Sequence, residues 1–146
     1  YGRRVAEPIE VFELDSSTRA KFSRHLIFPG VVLRHNRHCG ALVEAVCARL
    51  PENVSSIVDT GVYTRQRSFR IINSTKLGKD RALLPSNRSF PGAWQCAGRS
   101  RKEIFMASLV VATPPDATIL EYPGGDDWRR KHWSKTLKRK KEGQGS

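Results

Sequence analysis

Lys21-Phe22-Ser23-Arg24-His25-Leu26-Ile27-Phe28 sets an ammonium, a hydroxyl and an imidazole at every second position. In an extended strand alternate side chains share a face, so Lys21, Ser23 and His25 point one way and Phe22, Arg24, Leu26 and Phe28 the other. Three such groups in a row can hold phosphate oxygens, although the same alternation also describes the wet face of a half-buried strand. Val58-Asp59-Thr60-Gly61-Val62-Tyr63 supplies a lone carboxylate, and a ladder of cations follows it through Lys79. A carboxylate there can hold a divalent metal between protein and polyphosphate. The chemistry these types suit is nucleotide chemistry.

The elements that must position them follow from periodicity. Ile9 to Leu14 alternates and stops at the turn residues Asp15-Ser16-Ser17, and Lys21 to Phe28 stops at Pro29-Gly30, so both read as strands. Gly40 to Leu50 places Leu42, Val43, Val46, Cys47 and Leu50 on one helical stripe closed by Pro51. Ser56 to Tyr63 and Ser68 to Ile72 are expected to be further strands, with Phe69 and Ile71 facing the core and Arg70 free to meet a ligand. Leu84 to Gly98, rich in Pro, Gly, Ser and Asn, reads as an irregular loop in which Trp94 is a packing plug. Ser100 and Glu103 fit a capping box at the start of a helix, and Ala117 to Tyr122 closes the pattern as a strand. This order predicts an α+β domain with a mainly antiparallel sheet and flanking helices.

Leu14-Asp15-Ser16-Ser17-Thr18, Lys21 to Phe28, and the long block from Val58 to Lys79 together resemble the primase-polymerases of the archaeo-eukaryotic primase superfamily. A weaker echo runs from Ile104 to Tyr122. The resemblance implies a fold, the half of a split catalytic core that is similar to an RNA-recognition module. It also implies roles: Ser23 and His25, helped by Lys21, bind the triphosphate of the incoming nucleotide, Arg70 and Lys76 reach the same phosphates, and Asp59 is a catalytic metal ligand for Mn²⁺ or Mg²⁺.

That family carries a paired-carboxylate motif upstream of the segment matching Leu14 to Thr18, and its two acids with the later aspartate hold two metal ions. Such a pair is expected before Tyr1, so the chain reads as a fragment of a larger enzyme or as a divergent short relative. Glu13 and Asp15 have the spacing of the pair but align with the wrong strand.

The chain carries 26 Lys and Arg against 14 Asp and Glu, a net +12, which favours a polyanionic partner. Eight of those cations lie between Arg129 and Lys141 with no acid among them, so two thirds of the imbalance sits near the C-terminus. Residues 1–122 are accordingly read as a partial catalytic domain and residues 123–146 as a basic tail. In the tail Arg129, Arg130, Lys131 and Trp133 could track and stack single-stranded nucleic acid. Alternatively they form a solvated segment ending in the import-like cluster Lys138-Arg139-Lys140-Lys141.

His35, His38, Cys39 and Cys47 lack the two separated ligand pairs of a zinc module, and Cys47 falls on the helical stripe. Three cysteines, an odd number, fit a reducing compartment better than a disulfide framework. No apolar run reaches bilayer length, so no membrane partner is expected. The resemblance implies a DNA primase and polymerase acting on NTP or dNTP with a single-stranded or primed DNA template. It further implies replication restart and translesion synthesis in the nucleus, the mitochondrion or both, with any helicase or single-strand-binding partner unidentified. The alternative is an inactive relative that binds nucleotide or single-stranded nucleic acid through the same cations.

Overall fold

The computed structural model describes residues 8–64, 67–113, 115 and 117–127. They fall into two units, one built from Tyr1–Val31 and Phe69–Ala117, the other from Val32–Ser68 and Thr118–Ser146. The chain is α+β, as its periodicity predicts.

In the first unit β1 (Phe12–Asp15) pairs antiparallel with β2 (Arg24–Ile27) and with β4 (Leu84–Pro85), giving the order β2-β1-β4. The β1–β2 register sets Phe12 opposite Ile27, Leu14 opposite His25 and Asp15 opposite Arg24. The pairing continues past the strand ends, with Ser16 N–H donating to Ser23 O at 2.9 Å and Thr18 N–H to Lys21 O at 2.9 Å. Arg19 and Ala20 are left as a two-residue turn, a hairpin closure that fixes the register of everything before it. Because Leu14 and His25 are cross-strand neighbours, the predicted polar face of β2 is the inner face of the sheet, and Phe22, Leu26 and Phe28 are exposed.

The core of this unit is Phe12, Leu14, Ile72 and Leu83, with Ile27, Trp94, Cys96, Ile104 and Ala107 packed around it. Trp94 is the plug its surroundings suggested: its ring stands 4.5 Å from that of Phe12, and the Arg99 guanidinium lies 4.3 Å above it. The helix α3 (Arg101–Ala107) opens with the predicted capping box, Ser100 accepting from Glu103 N–H and Glu103 accepting from Ser100 N–H. Gly92, at φ 83°, is required because a Cβ would stand 2.5 Å from the Ile9 carbonyl.

The expected strand at Ser68–Ile72 is absent, and the inward and outward assignments there are reversed. Ile72 is buried, whereas Phe69 and Ile71 are exposed. The reason is local: Asn73 takes a left-handed φ of 65°, donates its N–H to Leu83 O at 2.8 Å, and turns Ile72 toward Leu83.

In the second unit β3 (Val32–Leu33) pairs with β5 (Ile119–Leu120), and this pair is parallel. The central helix α1 runs Asn36–Cys47, four residues earlier at its start than the apolar stripe predicts, and Val46 and Leu50 are exposed. Ser56 to Tyr63 is not a strand. It follows a short helix, α2 (Glu52–Ser55), and contains a 3₁₀ turn at Thr60–Tyr63 capped by Asp59, whose Oδ1 accepts Gly61 N–H at 3.0 Å. Aspartate two residues before glycine offers the backbone this local bond in place of a sheet ladder, and here it wins. No helix among the described residues is long and apolar enough to cross a membrane.

Candidate functional site

The hairpin places Ser23 and His25 on the inner face of the first unit's sheet, at its turn end. Across from them the segment after Phe69 brings in Arg70. Its Nη2 donates to Ser16 Oγ at 2.7 Å, and Ser16 Oγ stands 3.0 Å from Ser23 Oγ. Ser17 completes the rim: its N–H donates to Asp15 Oδ1 at 2.6 Å, and its Oγ accepts Ser23 N–H at 2.9 Å. Arg70 Nε is buried and has no hydrogen-bond partner among the described residues. A buried donor without an acceptor costs about 1–3 kcal/mol, so the site is built to receive one.

His25 is half-buried, and its ring meets that of Phe69 edge-on at 5.8 Å between centroids. Burial lowers its pKa, and the cations of Arg70 and Lys76 lower it further. The ring is therefore neutral near pH 7, able to donate one hydrogen bond and to gain a proton when negative charge arrives. Lys76 is exposed in a turn where Lys79 N–H donates to Lys76 O at 2.9 Å and Gly78 supplies the required left-handed φ of 71°. Lys21 bridges Thr18 at the hairpin end, with its side chain exposed.

Of the predicted phosphate ligands, the structure thus joins Ser23, His25, Arg70 and Lys76 in one neighbourhood of one unit, with Lys21 on the same hairpin. Asp59 belongs to the second unit and is exposed at the cap of its 3₁₀ turn. Arg129, Arg130, Lys131 and Trp133 lie outside the described residues. Sequence reasoning missed Ser16, which is 8% exposed and touches both Ser23 and Arg70. Its available signal was its place in the Leu14-Asp15-Ser16-Ser17-Thr18 segment.

The carboxylates bear on metal binding. Glu13 is buried and pairs through Oε1 with Arg24 and, at 3.4 Å, with Arg88. Asp15 lies 3.5 Å from the other arm of Arg24. Burial alone would raise the Asp15 pKa, but the Ser17 hydrogen bonds and the cations of Arg24 and Arg81 outweigh it and lower it. Both acids are thus paired with guanidinium groups. Asp59 by itself is one ligand of the several a hard divalent ion takes, and the described residues do not complete such a centre.

In the second unit His35 and His38 gather not with the cysteines but with Asp126. Asp126 Oδ1 stands 3.6 Å from His35 Nε2, 3.6 Å from Arg37 Nη2 and 3.8 Å from His38 Nε2. His38 Nδ1 accepts Tyr122 N–H at 2.8 Å, so a neutral ring carries its proton on Nε2, which is buried and has no hydrogen-bond partner among the described residues. A metal-ligating histidine has the opposite arrangement, donating from its second nitrogen. Arg37 Nη2 also lies 3.0 Å from His35 Nε2, so the cluster is a charge-contact clamp around the Asp126 carboxylate.

Beside it the Tyr63 hydroxyl is pushed up to about 12, by burial first and then by Cys39. Burial likewise raises the Cys39 thiol.

No family model matches the chain. Two curated proteins are similar to it. A DNA-directed primase/polymerase protein of Danio rerio is 27% identical over 70% of this chain and 28% of its own length. A DNA-directed primase/polymerase protein of Mus musculus is 28% identical over 69% of this chain and 30% of its own length. The chain spans less than a third of the length of the curated relatives it matches. The chain is thus similar, at 27–28% identity, to DNA-directed primase/polymerase proteins.

Proposed function

We propose that this chain contributes the triphosphate-binding part of a DNA primase and polymerase, which adds NTP or dNTP to a growing strand on a single-stranded or primed DNA template. The observation that carries the reading is the cradle on the inner face of the hairpin: Ser23 and His25 beside Arg70, whose buried Nε lacks an acceptor among the described residues. Phosphate oxygens are the acceptors that suit a guanidinium fork, a hydroxyl and a neutral imidazole together.

In this reading Arg70 and Lys76 offset the charge of the triphosphate, Ser23 donates to one of its oxygens, and His25 takes up a proton as the anion binds. Asp59 is the chain's one proposed ligand to Mn²⁺ or Mg²⁺, which when bound would neutralise the leaving pyrophosphate. Gly125 and Asp126 pack in the second unit, so the proposed basic tail is placed after Asp127, with Arg129, Arg130, Lys131 and Trp133 offered to nucleic acid. Replication restart and damage tolerance in the nucleus or mitochondrion are the proposed setting.

One observation favours a second reading, a nucleotide-binding relative without transfer activity. Glu13 and Asp15, the closely spaced acids near the cradle among the described residues, are held by Arg24.

The test is nucleotide incorporation on unprimed and primed single-stranded DNA with Mn²⁺, using the whole enzyme to which this chain is proposed to belong, with and without Asp59→Ala or His25→Ala. Template-dependent incorporation that Asp59→Ala abolishes and His25→Ala reduces is the expected result. Nucleotide binding with no incorporation would select the second reading, and no binding at all would overturn both.

A further inference from the structure

We infer that Ser16 is a positioning residue for the triphosphate, aligning Arg70 and Ser23 as donors without touching the nucleotide itself; the inference rests on the triphosphate reading of the cradle.

Arginine has donors and no acceptor, so in the 2.7 Å contact Ser16 Oγ accepts from Arg70 Nη2. The one proton of Ser16 is then left for its other neighbour, Ser23 Oγ, at 3.0 Å. Ser23 thus receives a hydrogen bond on its oxygen, and its own proton is turned away from Ser16. The contacts run in one sense, from guanidinium to Ser16 to Ser23, and finish on a hydroxyl presented as a donor. An anionic oxygen is the partner such a hydroxyl accepts best.

Two features show that Ser16 is held for this task. Its backbone is pinned, since Ser16 N–H donates to Ser23 O at 2.9 Å, and its side chain is nearly closed to solvent at 8% exposure. At the same time, tethering Arg70 through one Nη leaves its Nε buried and without an acceptor among the described residues. The guanidinium is anchored at one corner, with an unused donor on another edge. A side chain at position 16 without a hydroxyl would free the guanidinium to rotate and let the Ser23 proton turn inward.

The experiment measures dATP affinity by calorimetry for the wild type, Ser16→Ala, Ser16→Thr, Ser23→Ala and Ser16→Ala/Ser23→Ala, with a thermal melt of each. Ser16→Ala should weaken dATP about tenfold, the effect of one charge-assisted hydrogen bond. Ser16→Thr, which keeps the hydroxyl, should recover most of that loss. The double variant should bind about as well as the weaker single variant, because both substitutions break the same chain of contacts. Independent, additive losses would overturn the inference, as would a Ser16→Ala variant that binds like the wild type while Arg70→Ala still weakens binding. If Ser16→Ala does not fold, the isosteric Ser16→Cys carries the same expectation, its thiol being a weak donor and acceptor. A wild type that binds no dATP defeats the triphosphate reading instead, so the two failures are told apart.

Discussion

The two units solve the same problem, holding polar side chains in place, by opposite means. The first sets its serines, His25 and Arg70 over an apolar floor of Phe12, Leu14, Ile72 and Leu83. Among the described residues of the second, no large apolar side chain is fully buried. Its buried positions are His38, Gly40 and Gly125. There the packing centre is an imidazole, clasped by the Tyr122 amide and lying so close over Gly125 that a Cβ would come within 2.5 Å of the ring. An apolar floor tolerates a polar rim that changes charge, because the fold does not depend on the rim. A polar centre does not, because its hydrogen bonds are themselves the packing.

The largest effect expected from this contrast is at Leu14. Removing this fully buried side chain, which faces His25 across the hairpin, should cost about 3 kcal/mol or more in Leu14→Ala, read by urea unfolding. The cradle should lose dATP binding with it.

His38→Ala is the counterpart in the second unit. It removes the acceptor of the Tyr122 amide and opens space above Gly125, and about 2 kcal/mol is expected. Amide hydrogen exchange at Tyr122 should accelerate, and protection equal to the wild type would show that the clamp carries no weight.

At the rim the effect should appear in binding instead of stability. Arg70→Lys keeps the charge but loses the fork that meets Ser16, so dATP affinity should fall about tenfold with the melting temperature little changed.

The smallest effect is on pH dependence. His25 is depressed by burial and then by Arg70 and Lys76, so as pH falls the unfolded chain takes up its proton before the folded one. The stability gained by keeping the ring neutral is complete above about pH 6.5 and is lost as pH falls from there toward the folded value. His35 is shifted the same way, by burial, Arg37 and His38 against the opposing pull of Asp126, so both units contribute to the slope. His25→Gln should flatten only the first unit's share. A slope identical to the wild type would mean that the folded and unfolded chains hold this proton equally.

What could be read in the sequence was local. Alternation gave the hairpin strands and which residues share a face, the serine-to-glutamate spacing gave the cap of α3, and aromatic placement in a loop gave the role of Trp94. Alternation does not say which face is inner, because Lys21, Ser23 and His25 look like a wet face until Leu14 is found opposite His25. The segment around Asp59 has β-branched residues enough for a strand, yet one side-chain bond to Gly61 turns it into a 3₁₀ cap. The Ser16–Arg70 contact joins residues 54 positions apart, and the Asp126 clamp joins residues nearly as distant as the described chain allows. No short-range pattern reports such meetings.

The claim on which the rest depends is that His25, Ser23 and Arg70 form a receptor for a nucleoside triphosphate. It is tested most directly by following the His25 ring through a pH titration by NMR, with and without saturating dATP and with no metal added. The account predicts a depressed titration in the free chain that moves upward when dATP binds, and a smaller movement in Arg70→Lys. A His25 titration that stays in place while dATP is bound would contradict it.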